Sequence, residues 1–331
     1  MPSDNLEYDP QRERAQRWRR LLEGLGWSVV GPLLLVAALR LAAHDATLEL
    51  VALNAVSQWL YLPAWVVGMA AWWGRRRSLA GAATCLVLLH VAWIDPRGLV
   101  ATRAPELSAA ATRFRVMSAN LLMVNRDKEG IAREVLSAAP DLLLVQELSP
   151  AWAERFERDD LVRALPHRSA VARDDSFGIG IYARAPFEAE QLDLFGLPAF
   201  RADLRVGARI LRVFNFHTLP PRRPDYLETW NGMMGEIAQL VAGQRGPLLL
   251  GGDLNATPHN RWFQRLLELG LRSAHEERGR TLASTWPNGL MPFPPIRLDH
   301  FLISAEVSLL DVREGEGRGS DHRPIIGDFA L

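Results

Sequence analysis

The apolar stretch between residues 25 and 94 constrains this chain more than any other feature. Three runs within it, residues 27–43, 50–73 and 79–94, each approach the length of about 20 residues that a helix needs to cross a bilayer. They lack the 3.6-residue alternation of a half-exposed helix. A signal peptide followed by two buried core helices is the alternative. The run lengths favour three transmembrane helices within residues 25–95.

Arginine residues predict how these helices are oriented. Five arginines lie between residues 12 and 20, and Arg75, Arg76 and Arg77 separate the second run from the third. Residues 44–49, between the first and second runs, contain no Lys or Arg. Positively charged segments remain in the cytoplasm. We therefore expect a cytoplasmic N-terminal segment at residues 1–24, and three crossings then leave everything after Ile94 outside the cytoplasm.

The remainder of the chain is an ordinary mixed sequence. Residues 96–112 are rich in Pro, Gly and small residues and are predicted to form a linker. Residues 113–331 alternate between strand-like and helix-like segments, which predicts an α/β domain with two packed sheets and helices outside. Strands are expected at residues 114–121, 141–148, 176–184, 200–206, 209–218, 247–253, 297–304, 307–312 and 324–330, and helices near residues 128–137, 225–242 and 260–269.

Polar side chains stand at the ends of these apolar strands. They are Asn120, Glu147, His217, Asp253, Asn255, Asp299, His300, Asp321 and His322. A single Asn or Asp at such a place usually forms a turn, and a single His there is often partly buried for structural reasons. Carboxylates, carboxamides and histidines gathered at several strand ends are difficult to explain as turn residues. The pattern favours an active site.

Four motifs in fixed order carry a family resemblance. They are Ser118-Ala119-Asn120, Gln146-Glu147, Gly252-Asp253-Leu254-Asn255 and Ser320-Asp321-His322-Arg323-Pro324. In this respect residues 113–331 resemble the endonuclease/exonuclease/phosphatase superfamily of hydrolases. The resemblance implies a four-layer α/β sandwich, in which two mixed β-sheets lie between helices and a Mg²⁺ ion binds at the strand ends.

The same resemblance implies a role for each residue. Glu147, helped by Asn120 and Asp321, would ligate Mg²⁺, or alternatively Mn²⁺, through oxygen atoms. Asp253 would align or deprotonate the attacking water, and Asn255 would orient that water or the phosphate.

Two histidines complete the implied site. Asp299 would fix the tautomer of His322, which meets a phosphoryl oxygen, and His217 would be a second phosphate contact. His300 stands where the family often has Tyr, so its role is open. Leu122 occupies the position of a second metal-binding acid in some nucleases, which favours a single metal.

Charge and the apolar helices bear on the substrate. The residues from Pro105 onward carry 27 basic and 30 acidic side chains, whereas nucleases usually present a basic surface. Nucleic acid is thus disfavoured as a partner, although not excluded. Arg222 and Arg223 are either a second phosphate-binding site or solvated surface residues. Tethering to a bilayer raises the effective concentration of an enzyme at lipid head groups.

The arrangement of helices and domain, together with residues 284–300, resembles the membrane phosphatases associated with teicoplanin resistance in actinobacteria. That resemblance implies a cell-envelope role in antibiotic resistance and an undecaprenyl pyrophosphate substrate. Two alternatives remain open, an anchored extracellular nuclease or phosphodiesterase and a non-enzymatic membrane sensor. The oligomeric state is not predicted.

Overall fold

The computed structural model describes residues 10–103, 106–289 and 291–331. The first nine residues of the predicted cytoplasmic segment, Ala104 and Pro105 of the predicted linker, and Leu290 lie outside these ranges. The described chain forms two compact units. Residues 10–44 and 57–94 make up the first unit, and residues 45–56 and 95–331 make up the second.

Five helices precede the first strand. They are α1 (Pro10–Ala43), α2 (Leu48–Ala55), α3 (Ser57–Leu60), α4 (Leu62–Trp73) and α5 (Arg77–Ile94). Helices α1 and α5 are long and apolar enough to cross a membrane, which agrees with two of the predicted spans. A third span is obtained only if α2 and residues 57–73 are counted together, and these are bent by 69°.

The predicted second span, residues 50–73, is therefore wrong as a single continuous helix. The break falls at Val56, which ends α2. Val51 packs into an apolar cluster of the second unit, so α2 belongs to that unit. A second interruption falls at Tyr61, between α3 and α4. Pro63 explains that one, because it lacks the N–H that a continuous helix would need and favours a new helix start.

Within the first unit, α1, α3, α4 and α5 share a small apolar core. Val30, Ala37, Ala64, Ala83 and Leu86 are among its buried members. Small residues allow close helix approach, which is how helices pack in lipid.

The second unit contains two six-stranded sheets. The first has the order β11-β12-β1-β2-β4-β3 and the second β5-β6-β7-β8-β10-β9. The strands are β1 (Arg113–Asn120), β2 (Leu142–Gln146), β3 (His167–Val171), β4 (Ile179–Ala183), β5 (Phe187–Leu194), β6 (Leu197–Val206), β7 (Arg209–His217), β8 (Leu248–Asp253), β9 (Arg272–Ser273), β10 (Asp299–Ile303), β11 (Ser308–Glu314) and β12 (Ile325–Ala330). Each sheet is mixed, because β1 with β2 and β7 with β8 are parallel while the other pairs are antiparallel.

Helices cover the outer face of each sheet. They are α6 (Lys128–Ala138), α7 (Pro150–Phe156), α8 (Asp159–Ala164), α9 (Pro224–Ala242) and α10 (Arg261–Glu268). The short α11 (Ala274–Glu277) instead places Ala274 in the core between the sheets. Three apolar clusters fill the space, one between the sheets and one beneath the helices on each side. The prediction of two mixed sheets flanked by helices is confirmed.

Strand β1 shows how the sequence produces this layering. Val116 points into the core between the sheets, whereas Met117 and Ala119 pack beneath the outer helices. Successive side chains of a strand point to opposite faces. Because both faces are buried, the central strands are apolar throughout, as in the LLLV run that begins at Leu142.

Three strands and three helices of the second unit, β3, β5, β9, α7, α8 and α11, were not among the predicted elements. Strands β3 and β5 each lie at the edge of a sheet. Most residues of β5 are exposed and polar, so no apolar alternation marks it. Helices α7 and α8 are only 7 and 6 residues long, too short to show a helical period.

The beginning of the predicted linker is packed against the second unit. A 3₁₀ turn spans Pro96–Leu99, and Gly98 is buried there. The Gly98 carbonyl oxygen accepts hydrogen bonds from the Thr281 backbone N–H at 3.3 Å and from Thr281 Oγ1 at 2.6 Å.

Candidate active site

Strand register brings the predicted polar residues to the same ends of neighbouring strands. In the first sheet Asn120 pairs with Gln146, the residue before Glu147. In the second sheet Asp253 lies between His217 on one side and Asp299 on the other. Each of these pairs is the terminal pair of its two strands. The side chains of these residues and of Glu147 therefore gather at one end of the strands in each sheet.

A buried amide bridge holds the two sheets in this alignment. Gln146 Nε2 donates to Asn215 Oδ1 at 2.7 Å and to Ser118 Oγ at 3.2 Å. Asn215 Nδ2 in turn donates to the Gly180 carbonyl oxygen at 2.8 Å. All three side chains are fully buried, where an unpaired amide would be costly. The Gln of the Gln-Glu motif is therefore structural and places Glu147.

Backbone strain is present at two of the candidate site residues. Glu147 and Asn255 have φ values of 56° and 45°, a left-handed region that residues other than Gly rarely occupy. Gly252, with φ of 126°, has no alternative, because a Cβ there would lie 2.0 Å from the Phe216 carbonyl oxygen. Such strain persists only where surrounding contacts enforce it.

Asp253 is the centre of the site. Its Oδ2 lies 3.6 Å from His217 Nε2 and 3.7 Å from His322 Nε2, and it accepts a hydrogen bond from Asn120 Nδ2 at 3.2 Å. Its Oδ1 accepts from the Asn255 backbone N–H at 2.9 Å. Burial raises the pKa of Asp253, against the opposing attraction of His322. A carboxylate with a raised pKa is a better proton acceptor.

Asp299 and His322 form a buried pair. Asp299 Oδ2 is 2.8 Å from His322 Nδ1, and the two residues are 0% and 5% exposed. Burial by itself lowers the pKa of His322, but the carboxylates of Asp299 and Asp253 outweigh it and raise the pKa to about 10. The imidazole is therefore a cation at neutral pH, and its Nε2–H faces Asp253.

His217 has the opposite character. Burial lowers its pKa, and the attraction of Asp253 does not compensate. The ring packs 5.5 Å from that of Phe177, and the buried Nδ1 has no hydrogen-bond partner within the described residues. The site thus contains one cationic and one neutral histidine on either side of Asp253.

The predicted metal ligands provide a suitable set of oxygen atoms. Glu147 Oε1 accepts from Asn120 Nδ2 at 3.3 Å, and Oε2 accepts from the Met123 backbone N–H at 2.9 Å. Asp321 Oδ2 accepts from Trp286 Nε1 at 3.2 Å. Asp321 Oδ1 is buried and has no donor among the described residues. The two hard carboxylates suit a divalent cation such as Mg²⁺. The Asn120 side-chain oxygen accepts a hydrogen bond from the Leu122 backbone N–H at 3.1 Å, so Asn120 faces Glu147 through Nδ2 in this structure.

A second group also has the spacing of a metal site. Ligand atoms of Asp253, Asp299 and His322 lie within 4.8 Å of one another. His322 Nδ1 is already paired with Asp299 Oδ2 at 2.8 Å. We therefore favour Glu147, Asn120 and Asp321 as ligands, with the second group acting on water and phosphate.

The two remaining predicted positions, Arg222 and Arg223, are less closely tied to the site. Arg223 pairs with Asp225 at 2.7 Å and stacks over Tyr226, so its charge is already used. Arg222 is exposed and forms no ion pair within the described residues. Only Arg222 remains a candidate for a second phosphate contact.

The motifs did not reveal two supporting residues. Trp286 contacts Asp321, as described above. His300 Nε2 donates to the Ala256 carbonyl oxygen at 2.8 Å, and its ring packs 4.6 Å from that of Phe263. Burial and nearby Arg297 lower the pKa of His300 to about 3, so it is neutral. In the structure His300 therefore holds the backbone at Ala256, the residue after Asn255, through a hydrogen bond.

Comparison with known proteins agrees with this geometry. The model of the Endonuclease/Exonuclease/phosphatase family matches residues 117–322. No curated protein sequence matches the chain. The D. rerio TDP2 structure with a single-strand DNA product is 17% identical, with a TM-score of 0.55, over 66% of this chain and 98% of that one.

Two other solved structures share the fold. A truncated Caenorhabditis elegans TDP2 is 18% identical over 66% of this chain and 98% of its own, with a TM-score of 0.53. A conserved protein of unknown function from Enterococcus faecalis V583 is 16% identical over 65% of this chain and 98% of its own, with a TM-score of 0.52. The chain belongs to the endonuclease/exonuclease/phosphatase family, whose metal-dependent phosphatases and phosphodiesterases define its enzyme class.

Proposed function

We propose that this enzyme is a membrane-anchored, Mg²⁺-dependent phosphohydrolase whose active site lies outside the cytoplasm and acts on a lipid-linked pyrophosphate. The undecaprenyl carrier is the proposed substrate, as in the teicoplanin-resistance phosphatases that the sequence resembles. The observation that carries the proposal is an apolar rim beside Asp321, formed by Trp286 and Phe293, with Met291 two residues before Phe293 in the chain.

The rim is joined to the proposed metal site by one residue. Trp286 donates to Asp321 through Nε1, and its ring lies 5.1 Å from that of Phe293. Met291 and Phe293 are 47% and 40% exposed. Exposed apolar side chains at the mouth of a phosphate site are suited to a substrate that has a hydrocarbon chain next to its phosphate.

The catalytic residues divide the chemistry among them. Glu147, Asn120 and Asp321 would hold a divalent cation, which would supply charge neutralisation at the phosphate oxygens. Asp253 accepts the proton of the attacking water, and its raised pKa suits that task. The cationic His322, held by Asp299, donates a hydrogen bond to a phosphoryl oxygen.

Two observations support the proposed topology. Residues 45–56 and residues 95–331 belong to one compact unit, so they lie on the same side of any membrane. The chain between them, residues 57–94, must then cross the membrane an even number of times. Because α5 has the length and composition of one span, residues 57–73 are needed as the second span. The absence of Lys and Arg from residues 44–49 supports placing that side outside the cytoplasm.

An anchored nuclease or phosphodiesterase is the second candidate. D. rerio TDP2, which shares the fold, binds a single-strand DNA product, and the aromatic rim is also able to stack on bases. The net charge of −3 from Pro105 onward opposes this reading, since phosphate backbones are bound mainly by Lys and Arg. The complete set of site residues disfavours the third candidate, a non-enzymatic sensor.

The test is a substrate panel with the full-length protein in nanodiscs, with and without Mg²⁺. It compares undecaprenyl pyrophosphate, phospholipid, sugar phosphate and plasmid DNA. We expect Mg²⁺-dependent phosphate release from the lipid pyrophosphate. At a Mg²⁺ concentration that is just sufficient for the wild type, release should be strongly reduced in Glu147→Gln and retained in Glu154→Gln, an exposed control. Cleavage of DNA without release from lipid would replace the substrate proposal with the nuclease.

Two further arms examine the rim and the topology. Phe293→Ser is expected to raise KM for the lipid substrate while leaving KM for a soluble sugar phosphate unchanged. Alkaline phosphatase or green fluorescent protein fused after Thr112 reports the side of the membrane. A fluorescent, phosphatase-inactive fusion pair would contradict the external site.

A further inference from the structure

Residues 45–56 are an unexpected part of the second unit. Along the chain they stand between two apolar helices of the first unit, α1 and α3, yet they pack with residues 95–331. Val51 is 4% exposed and belongs to the same apolar cluster as Phe263 and Leu254. Neither the family motifs nor the proposed chemistry uses this segment.

Asp45 caps helix α10. Its Oδ2 accepts a hydrogen bond from the backbone N–H of Arg261, the first residue of α10, at 2.6 Å. First-turn N–H groups have no partner inside their own helix, and the preceding residue, Asn260, supplies no side-chain cap. Asp45, which is 8% exposed, therefore acts as the side-chain cap of α10, although it lies 216 residues earlier in the chain.

The Asn260 side chain makes other hydrogen bonds, because Asp45 caps α10 in its place. Its Oδ1 accepts from the Thr257 backbone N–H at 2.9 Å and from Thr257 Oγ1 at 3.0 Å. Its Nδ2 donates to Asp45 Oδ2 at 3.3 Å and to the Val51 carbonyl oxygen at 3.2 Å. Asn260 is 1% exposed, so these contacts are shielded from water.

These hydrogen bonds hold a turn at residues 257–260, which begins two residues after Asn255. Asn255 has φ of 45°, a conformation that neighbouring contacts must enforce. On its N-terminal side the Asn255 backbone N–H is fixed by Asp253. On its C-terminal side Ala256 is held by His300, and Thr257 is held by Asn260.

We propose that residues 45–56 are a positioning element of the catalytic site, in which Asp45 holds the 257–260 turn through Asn260 and thereby keeps Asn255 in its strained conformation. Asp45 touches neither substrate nor metal in this account. Catalysis by the second unit then depends on a segment located between two apolar helices of the chain. The kinetic part of this inference rests on the proposed role of Asn255.

The test uses full-length protein in nanodiscs with Mg²⁺ and bis(p-nitrophenyl) phosphate, a soluble phosphodiester. Asp45→Ala is expected to lower kcat by about 10-fold to 100-fold, the range that a displacement of about 1 Å can cause, with little change in KM. Asp45→Asn is expected to recover most of the rate. Its amide oxygen can accept the hydrogen bonds from Arg261 and Asn260, and Asn54, which donates to Asp45 Oδ1 at 2.6 Å, can turn its own amide over and accept from the new NH₂ group. Glu49→Ala, an exposed change in the same segment, is the matched control.

Two measurements separate positioning from general loss of structure. In an Asn255→Ala background, adding Asp45→Ala is expected to cause no further loss of kcat, since both changes act through one residue. Hydrogen exchange of residues 257–262 is expected to accelerate in Asp45→Ala and not in Glu49→Ala. Multiplicative losses of kcat in the double variant would overturn the proposal, as would unchanged exchange.

The exchange measurement does not depend on the proposed function. If the wild type hydrolyses none of the substrates, the proposed function fails, and exchange alone decides whether Asp45 holds the turn.

Discussion

The ion pair between Asp299 and His322 yields a prediction whose size can be worked out from the structure. The pKa of His322 is raised from 6.5 to about 10, which favours the imidazolium by roughly 5 kcal/mol. Two carboxylates face the ring, and Asp299 is the nearer at 2.8 Å. We therefore assign at least half of that energy, about 3 kcal/mol, to Asp299.

Asp299→Asn removes this charge and retains the shape of the side chain. We expect the pKa of His322 to fall by about 2, so that the histidine is a cation up to about pH 8 rather than up to about pH 10. In the wild type, kcat/KM should stay level between pH 7 and pH 9. In the variant it should decline above about pH 8, with a loss of about 10²-fold to 10⁴-fold where the histidine is neutral.

The assay is a pH–rate profile on bis(p-nitrophenyl) phosphate with Mg²⁺, accompanied by circular dichroism melting. Asp311→Asn, an exposed change in β11, is the control. A variant that remains folded and reproduces the wild-type profile would refute the reasoning, because His322 would then not act as a cation held by Asp299.

Three further predictions concern stability and the substrate. Asn215→Leu removes the amide bridge between the sheets and should cost on the order of 2–4 kcal/mol of unfolding free energy in denaturant titration, whereas Gln191→Leu on exposed β5 should cost little. Burial raises the pKa of Glu314, but hydrogen bonds from His275 and Arg280 outweigh it and lower the pKa to about 2. A carboxyl group with a lowered pKa stabilises the fold at pH values above its unfolded pKa near 4.5, and this stabilisation is lost as the pH falls toward 2. The difference in melting temperature between the wild type and Glu314→Gln should therefore disappear between pH 4.5 and pH 2. Arg222→Ala should raise KM for a pyrophosphate more than Arg223→Ala does; equal effects would remove Arg222 as a phosphate contact.

The sheet core was predictable from the sequence because its central strands are apolar on both faces. Residues such as Leu142–Gln146 produce uninterrupted apolar runs, which end at the polar residues of the site. The edge strands β3 and β5 gave no such signal, since polar residues cover much of their surface. Their place in the sheets is decided by pairing with a neighbour rather than by their own composition.

The site was predictable residue by residue only where a motif marked a strand end. The Gln146–Asn215 bridge and the bracing by His300 depend on contacts between distant segments. The break at Val56 had the same cause. A run of apolar residues shows that α2 is buried, but not whether lipid or the core of the second unit surrounds it.

The most direct test of the account measures the Mg²⁺ dependence of hydrolysis in two variants of the full-length enzyme. Glu147→Gln removes a proposed ligand and should raise the Mg²⁺ concentration needed for half-maximal rate. Asp253→Asn removes the proposed proton acceptor and should lower kcat by about 10²-fold to 10⁴-fold with little change in that Mg²⁺ concentration. Full activity in both variants, or a Mg²⁺ dependence altered by Asp253→Asn and not by Glu147→Gln, would contradict the site described here.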